Sequence, residues 1–500
     1  MTPSVPALLD SFRELTVLVL GDAMLDSYIQ GPAPTLSREA PVPVVKVESR
    51  RDVPGGAANT AANVRHLGAA AILLSVVGDD GEGALLRSAL EDCGVACDHL
   101  LVRSDRRTLA KNRVLADTQM LVRFDQGSIE PLVGEAEREV LASLAQLFAS
   151  SDAVVVSDYG YGVLTARVIG ALAELQSEAP RVVVVDAKDV RAFRDVGVTA
   201  VKPNYHEALA LLRATALSSE GDRGDAIAAE GERILDVTGA QIAAVTLDSE
   251  GAVVIERGRP PYRTYARAAD GASSIGAGDT FAATLALALA AGAHAPAAAD
   301  LASAAAAIVV AKRGTTCCSA AELRDHVSAG GEKVVDRERL AALVAAQRER
   351  GRRVVFTNGC FDILHRGHIT YLNRAKALGD VLVVGVNSDE SVQRLKGADR
   401  PINPLEDRVE VLAALSCVDQ IAVFEDDTPA DLIGAIRPDV FVKGGDYTHE
   451  TLPEAPLVES LGGKVRILSY VEDQSTTGVI ARIRGGKERE AGVSAAKGGG

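Results

Sequence analysis

Short apolar runs alternate with longer amphipathic stretches along the chain, and nearly every run stops at a polar residue or a glycine. Residues 17–20 lead into Gly21-Asp22, 71–77 into Gly78-Asp79-Asp80, 153–156 into Ser157-Asp158, 182–185 into Asp186 and 243–247 into Asp248. Between them, residues 57–67, 134–149 and 165–176 are compatible with helices. Runs that are apolar at consecutive rather than alternate positions predict strands buried on both faces, as in a parallel sheet covered by helices. The polar residues that end the runs predict where ligands sit, because open α/β sheets bind at the C-terminal ends of their strands. Residues 28–48 break the rhythm. Their prolines and β-branched residues, as in Pro41-Val-Pro-Val-Val-Lys-Val47, predict a small edge sheet or lid.

Alanine-rich helices predicted over 279–291 and 297–311 close this first series. After Gly330-Gly331 comes a charged helix over 336–350, and then a second strand–helix series with runs at 354–357, 381–386, 420–424, 440–443 and 465–468. The expected fold class is α/β in two domains. A doubly wound sheet with a small β lid spans 1–330, a linker and leading helix 331–351, and a Rossmann-like domain 352–484. Residues 485–500 are rich in Gly, Ala, Lys and Glu without apolar periodicity and are expected to be a disordered tail.

Composition narrows the function. The chain has 500 residues, 47% hydrophobic and 24% charged, which is too long for one ordinary core. Its net charge of −15 argues against a general nucleic-acid binder, and the absence of Trp with only 4% aromatics argues against a stacking platform for single strands. No apolar run is long enough to span a bilayer, so no membrane association is expected. Residues 1–14 lack a basic flank followed by an apolar core, so a secretory signal is not expected and the location is read as cytoplasmic. The six cysteines fit reduced thiols. Cys93, Cys97 and His99 have no fourth ligand at a zinc-site spacing, so no metal centre is expected there.

Two constellations carry chemistry. In the first, Gly276-Ala277-Gly278-Asp279 precedes a helix. Glycines let backbone approach a ligand, the helix N-terminus attracts an anion, and the aspartate beside it can accept a hydroxyl proton. Pro54-Gly55-Gly56-Ala57-Ala58-Asn59 is a second glycine turn entering a helix, with Asn59 offering both donor and acceptor. Asp22 and Asp26, just after the first strand, suit either sugar hydroxyls or the capping of a turn. Lys202-Pro-Asn204-Tyr205-His206-Glu207 and Thr246-Leu-Asp-Ser-Glu-Gly251 are polar turns after strands.

In this order the segments resemble the ribokinase-like (pfkB) sugar kinases over about residues 10–325. The resemblance implies ATP and Mg²⁺, with a sugar hydroxyl as acceptor. Asp279 would be the catalytic base and Gly276, Ala277 and Gly278 the anion hole. Asn204, Tyr205, His206 and Glu207 would lie beside the ATP phosphates and their Mg²⁺, and Asp22, Asp26, Gly55, Gly56 and Asn59 would hold the sugar. The chain departs from the family twice: Ser273 stands where an aspartate precedes the Gly-Ala-Gly-Asp turn, with Asp270 displaced nearby, and Tyr161 stands where related kinases often carry a lysine.

The second constellation is Phe356-Thr-Asn-Gly-Cys-Phe-Asp-Ile-Leu-His365-Arg-Gly-His368: strand, glycine turn, then two histidines on one face of a helix start. Such donors suit a triphosphate whose charge builds on the α-phosphate and on departing pyrophosphate. Residues 352–484 resemble the cytidylyltransferase-like nucleotidyltransferases. By that resemblance His365 and His368 are catalytic, and Thr357, Asn358, Gly359 and Phe361 contact ATP. Lys396 and Arg400 would neutralise phosphates, and Ser475, Thr476 and Thr477 would meet the β- and γ-phosphates. Ile480 stands where that family's late motif usually has arginine.

Together with Glu39-Ala-Pro-Val-Pro-Val-Val-Lys-Val47 and Val442-Lys-Gly-Gly-Asp-Tyr447, the pair resembles the bifunctional heptose-7-phosphate kinase/heptose-1-phosphate adenylyltransferase family. The resemblance implies phosphorylation at the anomeric O1, removal of the 7-phosphate by a separate phosphatase, and coupling of heptose 1-phosphate to AMP from ATP. It also implies small-molecule sugar phosphates and ATP as the partners and a homodimer through the lid. Two readings compete: the same chemistries on another sugar phosphate, or an inactive kinase-like platform carrying an active transferase.

Overall fold

The computed structural model describes residues 5–117, 119–213, 223–264, 275–312, 314–328, 333–364, 366–444 and 448–468. The chain divides into two compact units, Met1–His326 and Val327–Gly500. The expected tail at 485–500 lies outside the described residues.

The first unit is built on a nine-stranded sheet. From one edge the order is Leu100–Arg103, Ala70–Gly78, Thr16–Gly21, Ala153–Asp158, Val182–Ala187, Ala200–Val201 and Ile242–Thr246, all parallel. Val17, Leu18, Val19 and Leu20 are fully buried, as are Val154, Val155 and Val156 in the next strand, which agrees with their uninterrupted apolar runs. Two antiparallel strands, Ala252–Glu256 and Tyr262–Thr264, complete the far edge. The sequence pattern did not predict this hairpin. It needs only a short return, in which Gly258 takes φ +70°.

The lid is a separate four-stranded sheet in the order Ser49–Gly56, Ala23–Gly31, Ala110–Ala116, Gln119–Gln126. The segment expected to be the lid, 28–48, supplies only part of it: Ala23–Gly31 enters and Ser49–Gly56 leaves, with two-residue strands Thr35–Leu36 and Pro43–Val44 between. The other half comes from residues distant in the chain, through the parallel pairing of Leu25 with Ala110 and its continuation to Gly31 with Ala116. The alanine-rich pair forms as Ala277–Ala290 and Ala295–Val310, close to the expected limits.

The second unit carries a five-stranded, wholly parallel sheet in the order Gln420–Phe424, Val381–Asn387, Val354–Gly359, Val440–Gly444, Lys464–Leu468. The segment read as linker and leading helix is already part of this core. Lys333 donates through Nζ to the carbonyls of Ala413 (2.7 Å) and Leu415 (2.9 Å), and Val334 bridges to Ile421. The helix Arg337–Glu349, N-capped by Asp336, buries Leu340 and Val344 against Phe356, Ile433 and Phe441. A fragment that begins at residue 352 loses the burial of Val335, Leu340 and Val344, worth roughly 3–7 kcal/mol. It is therefore expected to unfold at a clearly lower temperature, by circular dichroism, than a fragment that begins at residue 327.

Candidate active sites

In the first unit, the C-terminal ends of the strands surround a cavity of about 200 Å³. Asp158, Tyr159, Asp186, Lys188 and Lys202 line it from the strand ends, Asn204 and Glu207 from a helix start, and Gly276, Gly278 and Asp279 from the glycine turn. Gly276 takes φ +82°, and a Cβ there would stand 3.0 Å from Nδ2 of Asn59. A Cβ on Gly278 would stand 3.2 Å from Nζ of Lys202. The positive φ favours glycine at 276, Gly278 lets Nζ of Lys202 come close, and the helix Ala277–Ala290 begins without a capping side chain. Its first amides are therefore available to an anion.

Asp279 lies in the first turn of that helix and is 5% exposed. Its Oδ2 accepts from Nδ2 of Asn59 at 2.7 Å, and its Oδ1 from the hydroxyl of Tyr159 at 2.9 Å. Burial pushes its carboxyl up to about 6, with help from Asp186, while the bonds from Asn59 and Tyr159 and the charge of Lys202 pull the other way. Asp158 is likewise pushed up to about 6, mainly by burial and then by Asp22 and Asp189, against the amide of Gly160. Burial acts to discharge Lys202, but Asp186 (3.1 Å away), Glu207 and Asp279 outweigh it and hold the ammonium above its ordinary value. The cavity therefore combines a fixed cation, an open helix start and a carboxylate poised near neutrality.

The other predicted residues of this unit fall into place unevenly. Asn204 and Glu207 form a capping box: Oδ1 of Asn204 accepts from the Glu207 amide, and Oε2 of Glu207 accepts from the Asn204 amide, both at 2.9 Å. They line the cavity while fixing the helix Tyr205–Leu211. Tyr205 and His206 are not among the lining residues; Tyr205 lies under the guanidinium of Arg223 and His206 is exposed. Of the two readings of Asp22, the structure takes turn capping. It is fully buried, and its oxygens accept from the amides of Tyr159 (2.9 Å), Tyr161 (3.0 Å) and Val163 (3.2 Å). Asp26 pairs with Arg113 at 2.8 Å and accepts from the hydroxyl of Thr315 at 3.0 Å. Gly55 lies against Asp26, and Gly56, at φ +57°, against the carbonyl of Asp22. Ser273 and Asp270 lie outside the described residues.

Two cations escaped the sequence reading. Lys202 stood inside a quoted motif without a role. Lys111 comes from the lid strand Ala110–Ala116 and places Nζ 5.0 Å and 5.6 Å from the ring centroids of Tyr159 and Tyr161. Where related kinases carry a lysine at position 161, this chain stacks Tyr161 on Tyr159 and brings the cation from the lid.

In the second unit, Thr357 is buried, with its hydroxyl 2.6 Å from that of Tyr371 on the helix Arg366–Lys376. Oδ1 of Asn358 accepts from Nζ of Lys443 at 2.7 Å. Gly359 leaves room for the ring of Phe361, which meets His368 edge-on at 5.6 Å between centroids. Arg400 pairs with Asp362, which also accepts the amides of Ile402 (2.7 Å) and Asn403 (3.0 Å). Burial would raise Asp362, but those amides and Arg400 outweigh it and hold the carboxyl below its ordinary value. Arg400 thus organises the loop and still keeps Nη2 buried without a hydrogen-bond partner among the described residues. Lys396 is exposed at the end of the helix Asp389–Lys396. His365, Ser475, Thr476, Thr477 and Ile480 lie outside the described residues.

Arg408 went unnoticed in the sequence. Its fully buried guanidinium holds the carbonyls of Cys360 and Asn387 (2.9 Å) and Oδ1 of Asp389 (2.7 Å), so it fixes the loops after two strands. A larger cavity of about 300 Å³, lined by Arg353, Asp439, Lys464 and Arg466, lies at the opposite, N-terminal ends of the strands and contains none of the predicted residues. Among the described residues no group of His, Cys, Asp or Glu could hold a metal ion by itself, and no helix is long and apolar enough to cross a membrane.

Comparison with known proteins agrees with this division. Residues 15–322 match the pfkB family carbohydrate kinase model, and residues 356–482 match the cytidylyltransferase-like model. The chain is 41% identical over 484 residues to the bifunctional protein HldE of Pelobacter propionicus, covering 96% of this chain and 98% of that one. It is 44% identical over 480 residues to the bifunctional protein HldE of Caulobacter vibrioides, covering 95% and 98%. Among solved structures, the Arabidopsis thaliana ribokinase complexed with ribose and ATP superposes with a TM-score of 0.50 at 20% identity, over 62% of this chain and 98% of that one. The tetrameric inhibited form of Escherichia coli phosphofructokinase-2 does so with a TM-score of 0.51 at 20% identity, over 62% and 97%. These likenesses place the first unit in the ribokinase-like fold.

The titration of Asp279 has a consequence for stability. The folded state favours its protonated form up to about pH 6, so above that pH the fold carries the cost of a buried charge. Below the unfolded value the two states bind the proton equally and the cost vanishes. Asp279→Asn is expected to stabilise the first unit by about 1–3 kcal/mol at about pH 8 and to lose that advantage near pH 4, read as melting temperature against pH.

Proposed function

The chain belongs to the HldE family of bifunctional proteins, a pfkB carbohydrate kinase followed by a cytidylyltransferase-like unit, and from that premise we propose two reactions on one sugar. The N-terminal unit phosphorylates D-glycero-β-D-manno-heptose 7-phosphate at O1. The C-terminal unit transfers AMP from ATP to heptose 1-phosphate, giving ADP-heptose and pyrophosphate. The observation that carries the first reaction is the buried Asp279, hydrogen-bonded by Asn59, Tyr159 and Thr60 beside an uncapped helix start.

In the kinase reaction the O1 hydroxyl attacks the γ-phosphorus of ATP, Asp279 takes its proton, and ADP leaves. Positioning and charge stabilisation supply most of the catalysis in such transfers. The amides of residues 277–279 receive the equatorial oxygens, and Lys202 offsets charge on the phosphates. Asn59 and Tyr159 hold the base in place, and Gly55, Gly56 and Asp26 border the sugar. Asp22 acts one step back, by shaping the turn that presents Tyr159. Mg²⁺ usually arrives on ATP with only one or two protein carboxylates, and Asp158 with Glu207, which line the cavity, would face it. Bound there, it would neutralise the triphosphate.

In the second reaction the sugar 1-phosphate is already a dianion near neutrality, since its second pKa is about 6, so no general base is needed. Its oxygen attacks the α-phosphorus and pyrophosphate leaves. His365, His368, Lys396, Arg400 and Ser475–Thr477 are assigned to the phosphates. The Nη2 of Arg400, buried without a hydrogen-bond partner among the described residues, supports its share of that role. Six cysteines that form no disulfide support a reducing, cytoplasmic setting. A homodimer through the lid is supported by Met120, Val122 and Phe124, which stand exposed on its outer strand.

The test uses the full chain. Asp279→Asn is expected to lower phosphorylation of heptose 7-phosphate by about 10²–10⁴-fold while leaving nucleotidyl transfer within about twofold. The unsubstituted kinase rate should fall on the acid side with a midpoint near the value of about 6 given for Asp279, and the same midpoint should survive in Asp158→Asn. Undiminished phosphorylation by Asp279→Asn would sink the assignment and favour an inactive platform.

A further inference from the structure

The lid sheet of the first unit has an inner and an outer face. Residues in register on neighbouring strands share a face. Asp26 is in register with Lys111, Tyr28 with Arg51 and Arg113, Lys111 with Asp125, and Arg113 with Arg123. This face is the inner one, because Asp26 and Tyr28 both bond the hydroxyl of Thr315, which stands beside the glycine turn at Gly276. The exposed Val122 and Phe124, in register with Val114 and Asn112, belong to the outer one.

Most of the charge on the inner face is already matched. Buried Arg113 donates to Asp26 at 2.8 Å, and Arg123 donates to the two oxygens of Asp125 at 2.9 Å and 2.7 Å. Arg51 lies on the ring of Tyr28 and is exposed. Lys111 differs from all of these. It is half-buried, and among the described residues its ammonium has no hydrogen bond and no ion pair, since both neighbouring carboxylates are engaged elsewhere. It rests instead on the rings of Tyr159 and Tyr161, which stack at 6.4 Å between centroids and 12° between planes. Ring contacts recover only part of what an ammonium loses on leaving water, and all three of its donors stay unused within the described residues.

The position of this cation says what it would bind. Tyr159 lines the cavity and meets Asp279 through its hydroxyl, while Lys111 meets the same ring from the lid. An acceptor whose reacting hydroxyl lies on Asp279 can therefore extend along Tyr159 to Lys111. The triphosphate has its own cation in Lys202 and its own amides at the helix start. A separate cation on the lid suits a separate anion, and a phosphate monoester is a dianion near neutrality. We propose that Lys111 selects the acceptor of the kinase reaction, its ammonium binding a phosphate group that the sugar already carries, remote from the hydroxyl that reacts. Tyr161 is a positioning residue here, acting through Lys111. The inference rests on the kinase reaction proposed above and names the group that tells a phosphorylated sugar from a neutral one.

Steady-state phosphorylation by the full chain, with heptose 7-phosphate, unphosphorylated heptose and ATP each varied, tests this. Lys111→Met is expected to raise KM for heptose 7-phosphate by about 30–100-fold and KM for ATP by less than about threefold, and to leave kcat/KM for unphosphorylated heptose within about threefold. Lys111→Arg should recover about tenfold of the loss, because the charge returns in a different shape. Tyr161→Ala should raise KM for heptose 7-phosphate by about 3–10-fold, and Tyr161→Phe, which keeps the ring, should restore it. Unchanged nucleotidyl transfer in each variant reports an intact chain. An unchanged KM for heptose 7-phosphate in Lys111→Met, an equal rise for ATP, or an equal fall in kcat/KM for both sugars overturns the role of Lys111 alone. Absence of ADP formation by the unsubstituted protein with any sugar phosphate overturns the kinase reading, and the role of Lys111 with it.

Discussion

A carboxylate removed from water and set beside open backbone amides is the constraint around which the first unit is arranged. Left alone, Asp279 would simply remain protonated, since burial alone disfavours its charge. Asn59, Tyr159 and Lys202 restore enough support to bring it near neutrality rather than far above it. Each of those supports needs its own scaffold. Asn59 is placed by a glycine turn that tolerates no Cβ, Tyr159 by a turn whose amides are gathered on Asp22, and Lys202 by its pair with Asp186. The parallel sheet matters because it delivers all of these strand ends to one edge.

The second unit meets the same demand, anion binding at the C-terminal edge of a parallel sheet, with a different distribution of charge. Its sheet sets Thr357 against Tyr371 on the histidine helix and joins Asn358 to Lys443. Arg408 clamps the loops after two strands by their carbonyls, so the edge is rigid before any ligand arrives.

The alternation of apolar runs and polar stops made both sheets legible, because strands buried on both faces leave little freedom in composition. Asp279 and the histidine motif were legible for a related reason: glycines are needed where backbone touches an anion, and few other residues tolerate such turns. What stayed hidden depends on pairing between distant segments. The second half of the lid follows from the register of Leu25 with Ala110, which nothing local announces. Lys111 over Tyr159 and Tyr161 follows from that pairing, as does the replacement of the expected lysine at 161. Asp22 read equally well as a sugar ligand or a turn cap, and only the positions of three amides decide between them. Lys333 looked like linker because its carbonyl partners, on Ala413 and Leu415, lie far along the chain.

The hydrogen bonds that tune Asp279 join segments 120 and 220 residues apart. On a ribosome, the strand that precedes Tyr159 and the helix that carries Asn59 emerge long before the helix that carries Asp279. Non-local closures of this kind form late and together. An incomplete nascent chain therefore has glycine turns but no tuned carboxylate, and with Asp279 in its proposed role it cannot spend ATP until the last helices of its first unit have docked.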